Sequence, residues 1–124
     1  MDIMSKTQTI TYLGKTIFFM NFSGLKTEPE IDAVIKEGKA YIRKQAAGST
    51  LSLADITDMH FNTKIKELFR DYIKDNKPYI KASAIVGVTG LKQFIFNGVL
   101  QMSGRDVKAF NDATQAKMWL ASHK

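Results

Sequence analysis

The stretch YIKASAIVGVTGLKQFIFNGVLQMSGRDVKAF, Tyr79 to Phe110, reads as a buried strand, a tight glycine turn, an apolar helix and a second strand. Ile80 to Val88 is almost wholly apolar or small, bounded by Lys77-Pro78 before it and Thr89-Gly90 after it. A strand covered on both faces has this composition, because neither face meets water. The small side chains of Ala82, Ser83, Ala84 and Gly87 leave room for helices on either side, which favours a central place in the sheet. Thr89 is placed to cap a helix from about Gly90 to Met102. Ser103-Gly104 stops that helix, with Gly104 free to take the left-handed conformation of a C-terminal cap. Arg105 to Phe110 then returns as a strand. Strand, helix and strand with short joints make a right-handed parallel crossover.

Upstream, Thr7 to Leu13 and Thr16 to Phe22 are strand-like runs joined around Gly14-Lys15, and residues 1–6 before them form a tail. The hairpin's second arm carries Ile17, Phe18, Phe19, Met20 and Phe22, so it lies deeper. Thr27 with Glu30 forms a capping box, and Pro29 is tolerated in a first turn whose N–H groups lack helical partners. Ile31, Val34, Ile35, Gly38 and Ile42 recur at helical spacing to about Ala46, and Gly48 closes the helix. Leu51 to Ile56 is the next strand, followed by a polar joint from Thr57 to Asn62. A second amphipathic helix, Thr63 to Lys74, presents Ile65, Leu68, Phe69, Tyr72 and Ile73 on one face. Asp75-Asn76-Lys77-Pro78 is the turn into the central strand. Downstream of Phe110, Asn111 or Asp112 caps a last helix with Ala116, Trp119 and Leu120 inward. The expected class is α/β: one domain over residues 7–124, with a mostly parallel five-stranded sheet, an N-terminal hairpin and about four helices.

A chain of 124 residues buries roughly two-thirds of its unfolded surface, so it needs no staple. Having no cysteine, it has no disulfide, no thiolate zinc site and no cysteine nucleophile, which fits a reducing compartment. The first residues lack the apolar core and small-residue cleavage site of a leader, and no apolar run is long enough to cross a bilayer. A cytoplasmic protein without a transmembrane segment is expected. The net charge of +6 is spread from Lys6 to Lys124 among acidic residues, so it favours solubility with a modest pull on anionic partners.

The order of elements resembles the small bacterial SpoIIAA-like, STAS-type proteins, which have a distant likeness to CRAL-TRIO lipid-binding domains. The residues that carry the resemblance are Phe22-Ser23-Gly24-Leu25, Leu53-Ala54-Asp55-Ile56-Thr57, Lys77-Pro78-Tyr79, the run AIVGVTGL from Ala84 to Leu91, and Ser103-Gly104-Arg105. It extends from about Thr9 to Ser122. STAS domains bind a partner kinase or transport module, and a serine or threonine at the start of the helix after the third strand is phosphorylated. The matching position is Thr63. Where the family pattern has an acidic residue, adjacent serines and a glycine, this chain reads Asn62-Thr63-Lys64.

Four places are candidates for function. Asp55, Thr57, Asp58 and His60 follow the third strand, where open α/β sheets place ligands. They suit a divalent ion or a proton transfer, or else Asp55 and Thr57 hold the loop while Asp58 and His60 are solvated. Thr63 is a phosphoacceptor, or simply an N-cap shared with Asn62. Thr89 and Gly90 with Lys92 offer N–H groups and a cation to an anion, or are tight strand-to-helix geometry. Phe96 and Leu100 fall on the polar side of the helix from Gly90, facing a partner, a lipid or an apolar pocket, or covered by the last helix.

No catalysis and no cofactor are expected, because His60 and His123 are the only histidines and neither adjoins a nucleophile in sequence. Nucleic acid is not an expected partner either, since the aromatic residues fall at core spacing. The expected role is a regulatory or protein-interaction module, with a protein partner or a weak homodimer. The alternative is a binder or sensor of a small apolar or lipid-like ligand.

Overall fold

The computed structural model describes residues 6–88 and 107–123. In chain order these form strands β1 (Thr7–Tyr12) and β2 (Lys15–Asn21), helix α1 (Glu28–Ile42), strand β3 (Thr50–Asp55) and helix α2 (Thr63–Asn76). A single 3-10 turn (Lys77–Tyr79), strands β4 (Ile80–Val86) and β5 (Val107–Phe110) and helix α3 (Ala113–Ala121) complete them. The helix expected from Gly90 to Met102 lies outside the described residues.

The five strands form one sheet in chain order, β1 antiparallel to β2 and every later pair parallel. With β2, β3 and β4 adjacent in sequence order, crossovers of one hand bring α1 and α2 to the same face. There Ile31, Val34, Ile35 and Ile42 of α1 and Ile65, Phe69 and Tyr72 of α2 close over Phe18, Met20, Ala54 and Ile85. On the opposite face Ala116 and Leu120 of α3 close over Ile17, Leu51, Leu53, Ala82, Ala84 and Val86. Strand β4 is thus paired on both edges and covered on both faces, as its composition demands.

Local chemistry sets the boundaries. Thr27 and Glu30 form the reciprocal capping box at the start of α1. That helix ends at Ile42, earlier than Ala46, because the chain tightens: Lys44 N–H donates to Tyr41 O and Gln45 N–H to Ile42 O. The hairpin turns on Leu13 and Gly14, both with positive φ (51° and 78°), while Lys15 already pairs with Tyr12. Positive φ at both central residues is the two-residue geometry that matches strand twist. Strand β4 stops at Val86, short of Val88, because Gly87 turns to φ +93°. Helix α2 runs two residues beyond Lys74, so Asn76, expected in the turn into the central strand, is its buried last residue.

The close approach of α1 to the sheet depends on Gly38. A Cβ there would sit 2.7 Å from Met20 Sδ and 3.3 Å from the Tyr72 hydroxyl. That hydroxyl donates to Met20 Sδ at 3.0 Å, joining α2, β2 and α1 in one contact.

Candidate functional site

Strands β2 and β3 end in the same five-residue turn, Asn21-Phe22-Ser23-Gly24-Leu25 and Asp55-Ile56-Thr57-Asp58-Met59. In each, the first side chain accepts from the third residue's N–H and hydroxyl: Asn21 Oδ1 from Ser23, and Asp55 Oδ1 from Thr57 at 2.9 and 2.6 Å. The fourth residue has positive φ, 72° at Gly24 and 57° at Asp58. The fifth donates its N–H to the second residue's carbonyl, and the second and fifth are buried. The two turns are joined by backbone bonds, Phe22 N–H to Asp55 O, Gly24 N–H to Thr57 O and His60 N–H to Leu25 O. Gly87 closes against them, its missing Cβ leaving space for Thr57, whose backbone N would lie 2.6 Å from it.

In this arrangement Asp55 and Thr57 bond to each other and hold their loop. Asp58 and His60 are exposed; Asp58 O accepts from Lys26 Nζ, and His60 Nε2 lies 3.4 Å from Asn62 Nδ2. Among the described residues no three His, Cys, Asp or Glu side chains gather as metal ligands. Asn62 caps α2 by accepting from Ile65 N–H, which leaves Thr63 exposed as the first helical residue. Lys64 beside it is paired with Glu28 at 3.7 Å. Lys36 and Lys39 of α1 are likewise paired, with Asp32 and Asp75. Thr89, Gly90, Lys92, Phe96 and Leu100 lie outside the described residues.

A second place was not foreseen from sequence. Between the C-terminal half of α2 and strands β3, β4 and β5 lies a cavity of about 130 Å³. Its described lining is Tyr72, Ile73, Ile80 and Val107 with Ser52, Ser83, Asn76 and Lys77. Ser52 and Ser83 face each other across the β3–β4 register with their hydroxyl oxygens 2.6 Å apart. Asn76 is 1% exposed, yet neither its amide nitrogen nor its amide oxygen has a hydrogen-bond partner. Of the three buried side-chain polar atoms without one among the described residues, two belong to this amide; the other is Thr50 Oγ1. Leaving a buried donor or acceptor unmet costs about 1–3 kcal/mol each, so Asn76 is a poor choice for stability at this position.

No family model matches the chain, and no curated protein does. A solved structure does: an uncharacterised protein of the DUF3478 family from Shewanella loihica PV-4, described as having a SpoIIAA-like fold. The two superpose with a TM-score of 0.70 at 14% identity, over 92% of this chain and 91% of that one. The fold is SpoIIAA-like. At that identity the likeness extends to architecture alone, and function rests on the side chains.

Within this SpoIIAA-like frame, one signal pointed to the cavity. The buried stripe Ile65, Phe69, Tyr72 of α2 continues by one more turn to position 76, where an amide stands instead of an apolar residue. Ser52 and Ser83 are likewise polar residues inside largely apolar strands. No helix among the described residues is long and apolar enough to cross a membrane.

Proposed function

We propose that this chain is a non-catalytic binding module that holds or senses a small molecule in the cavity beneath α2. One observation carries the reading: a space large enough for a small ligand lies beneath α2, between an apolar wall and the paired hydroxyls of Ser52 and Ser83. An engineered apolar cavity of about 150 Å³ holds benzene, so a volume of 130 Å³ admits a molecule of fragment size. This reading takes up the small apolar or lipid-like ligand that the CRAL-TRIO likeness implies. Ile73, Ile80 and Val107 supply the apolar wall, and Ser52 and Ser83 the hydroxyl groups.

Native mass spectrometry of freshly purified protein, with the denatured intact mass alongside, is the test. A non-covalent adduct that disappears in Val107→Phe or Ser83→Val, both of which fill the cavity, supports the reading. Protein that carries no adduct, and whose amide NMR spectrum no fragment library perturbs around Asn76, overturns it.

A second reading, a partner-binding module switched at Thr63, draws on one observation. Asn62 supplies the cap, so the Thr63 hydroxyl is exposed at the helix start and is not needed there. A phosphate would bring about −1.5 to −2 charges to that end of α2, where the helix dipole favours them. A covalent phosphate in the intact mass, mapped to Thr63, supports this reading; its absence from protein purified with phosphatase inhibitors counts against it.

A further inference from the structure

We infer that the outer edge of β1 is the surface on which a second copy of this chain docks, strand to strand about a twofold axis at Thr9. Tyr12 and Lys15 flank the two-residue hairpin turn, and residues flanking such a turn exchange hydrogen bonds, with bonding alternating along the strands from there. The same phase holds at the far end, where Asn21 N–H donates to Lys6 O at 2.8 Å. Gln8, Ile10 and Tyr12 therefore bond to β2, while Thr9 and Thr11 turn their N–H and C=O groups the other way. Among the described residues no strand lies beyond β1. The Thr9 and Thr11 side chains are exposed, so neither face of this edge is overhung by a helix.

The two edges of the sheet differ. Strand β5 has four residues and carries Lys108, and a short, charged edge resists pairing with another strand. Strand β1 has six residues without a charge or a proline, paired with β2 in unbroken register. Such an edge accepts an added strand through main-chain bonds. The sequence of β1 selects its own copy as that strand. Threonine stands at positions 7, 9 and 11, so the row reads the same in either direction about Thr9. An antiparallel copy centred there sets Thr9 against Thr9, Thr11 against Thr7 and Ile10 against Gln8. The Thr9 pair exchanges two backbone bonds, and Thr11 N–H reaches Thr7 O, which has a second lone pair whatever else it receives. Threonine pairs across strands are favourable, and no like charges meet, because Lys6 falls opposite the ring of Tyr12.

An axis perpendicular to the sheet keeps both copies of α1 on one face and both copies of α3 on the other. On the α3 face the half-buried Ile10 then lies diagonal to Ile10 of the second copy, and each covers the other. Six residues a side make a small contact, so the dimer is weak and exchanges with monomer. Each copy carries a net charge of +6 and the seam contains no ion pair, so added salt tightens it.

The experiment joins sedimentation velocity to amide hydrogen exchange, read by NMR on the whole chain labelled with nitrogen-15, across about a hundredfold range of concentration. The expected result is that monomer passes to dimer as concentration rises. The Thr9 and Thr11 amides then exchange about fivefold more slowly in the concentrated sample, while Gln8 and Ile10, already bonded to β2, do not change. Thr9→Lys and Thr9→Glu each set like charges on the axis and leave the bonds to β2 in place. Each alone should stay monomeric, and an equimolar mixture of the two should dimerise at least as tightly as the unmodified chain. Should either variant fail to fold, the concentration dependence of Thr9 and Thr11 exchange decides alone. A monomer at every concentration, or a mixture no more associated than its components, overturns the inference. Protection of Thr9 and Thr11 that ignores concentration assigns the edge to another segment of the same chain, and protection that maps to β5 or α3 assigns the dimer to another surface; either result overturns it. Association that weakens with salt does so as well, since it requires ion pairs that this seam lacks.

Discussion

Gly87, just past the end of β4, packs directly against Thr57 in the loop after β3. Its φ of +93° is one that side-chain-bearing residues rarely take, and a Cβ would lie 2.5–2.8 Å from three atoms of Thr57, two of them backbone. Gly87→Ala should therefore destabilise the chain by about 1–3 kcal/mol, with no recovery in a Gly87→Ala, Thr57→Gly double variant, because the backbone contacts remain. Urea unfolding of the three proteins checks this. Tyr72 acts in another way. Burial penalises its phenolate and holds its pKa well above the usual tyrosine range. An unfolded tyrosine loses its proton above about pH 10 while the folded one keeps it, so stability is intact below that pH and falls above it by about 1.4 kcal/mol per pH unit. Tyr72→Phe should be the less stable protein near neutral pH, lacking the bond to Met20 Sδ, and should close that gap as the pH passes about 10. Denaturation midpoints on either side of that pH give the test. Asn76 reverses the usual sign of a core substitution. In ligand-free protein Asn76→Leu should raise stability by about 1–3 kcal/mol, since it removes two unmet polar atoms without changing the shape much. A loss of that size would mean that the amide is already satisfied.

At the scale of elements, the paired turns after β2 and β3 supply an internal control for Asp55. Asn21 makes the same two contacts in the neighbouring turn without a charge. Hence Asp55→Asn should be nearly neutral, whereas Asp55→Ala, which frees the Thr57 N–H and hydroxyl, should cost about 1–2 kcal/mol. Thermal unfolding separates the two, and a large loss in Asp55→Asn would show that the carboxylate has a task beyond the turn. The elements themselves were legible in the sequence because their signals are local: the Thr27–Glu30 box, the stripe from Ile31 to Ile42, and the mostly apolar or small residues of β4. Their joints were less so. The turn at Asp58 needs positive φ at a non-glycine residue, and Gly87 looked like room for a helix until the Thr57 loop was seen against it. Asn76 was hidden by its own neighbours, since Asp-Asn-Lys-Pro reads as a solvent turn while its place on the stripe of α2 buries it. Ser52 and Ser83 meet only through strand register, which local composition does not encode.

For the whole molecule the sheet divides the core in two, and the faces are unequally covered. Helices α1 and α2 lie over one, while α3, nine residues long, is the helix over the other among the described residues. A helix that short has little stability of its own, so it persists by burying Ala116 and Leu120 against Ile17, Leu53 and Ala84. The sheet cannot lose that cover without exposing the reverse side of the strands that carry α1 and α2. The two halves are therefore expected to unfold together. Trp119, the chain's one tryptophan, stands between Phe110 and His123 with ring centroids 5.5 and 4.6 Å away, so its fluorescence reports α3 docking. Far-ultraviolet circular dichroism is weighted toward the longer α1 and α2. Leu120, fully buried, is the residue to truncate: Leu120→Ala should cost about 2–5 kcal/mol and move both signals to the same lower midpoint. Were Trp119 to lose its environment at lower urea than the dichroism, α3 would be a separately opening cover and the two cores would be thermodynamically distinct. Coincident curves would establish that the sheet transmits the loss of one face to the other, and with it that ligand bound beneath α2 stabilises α3 as well.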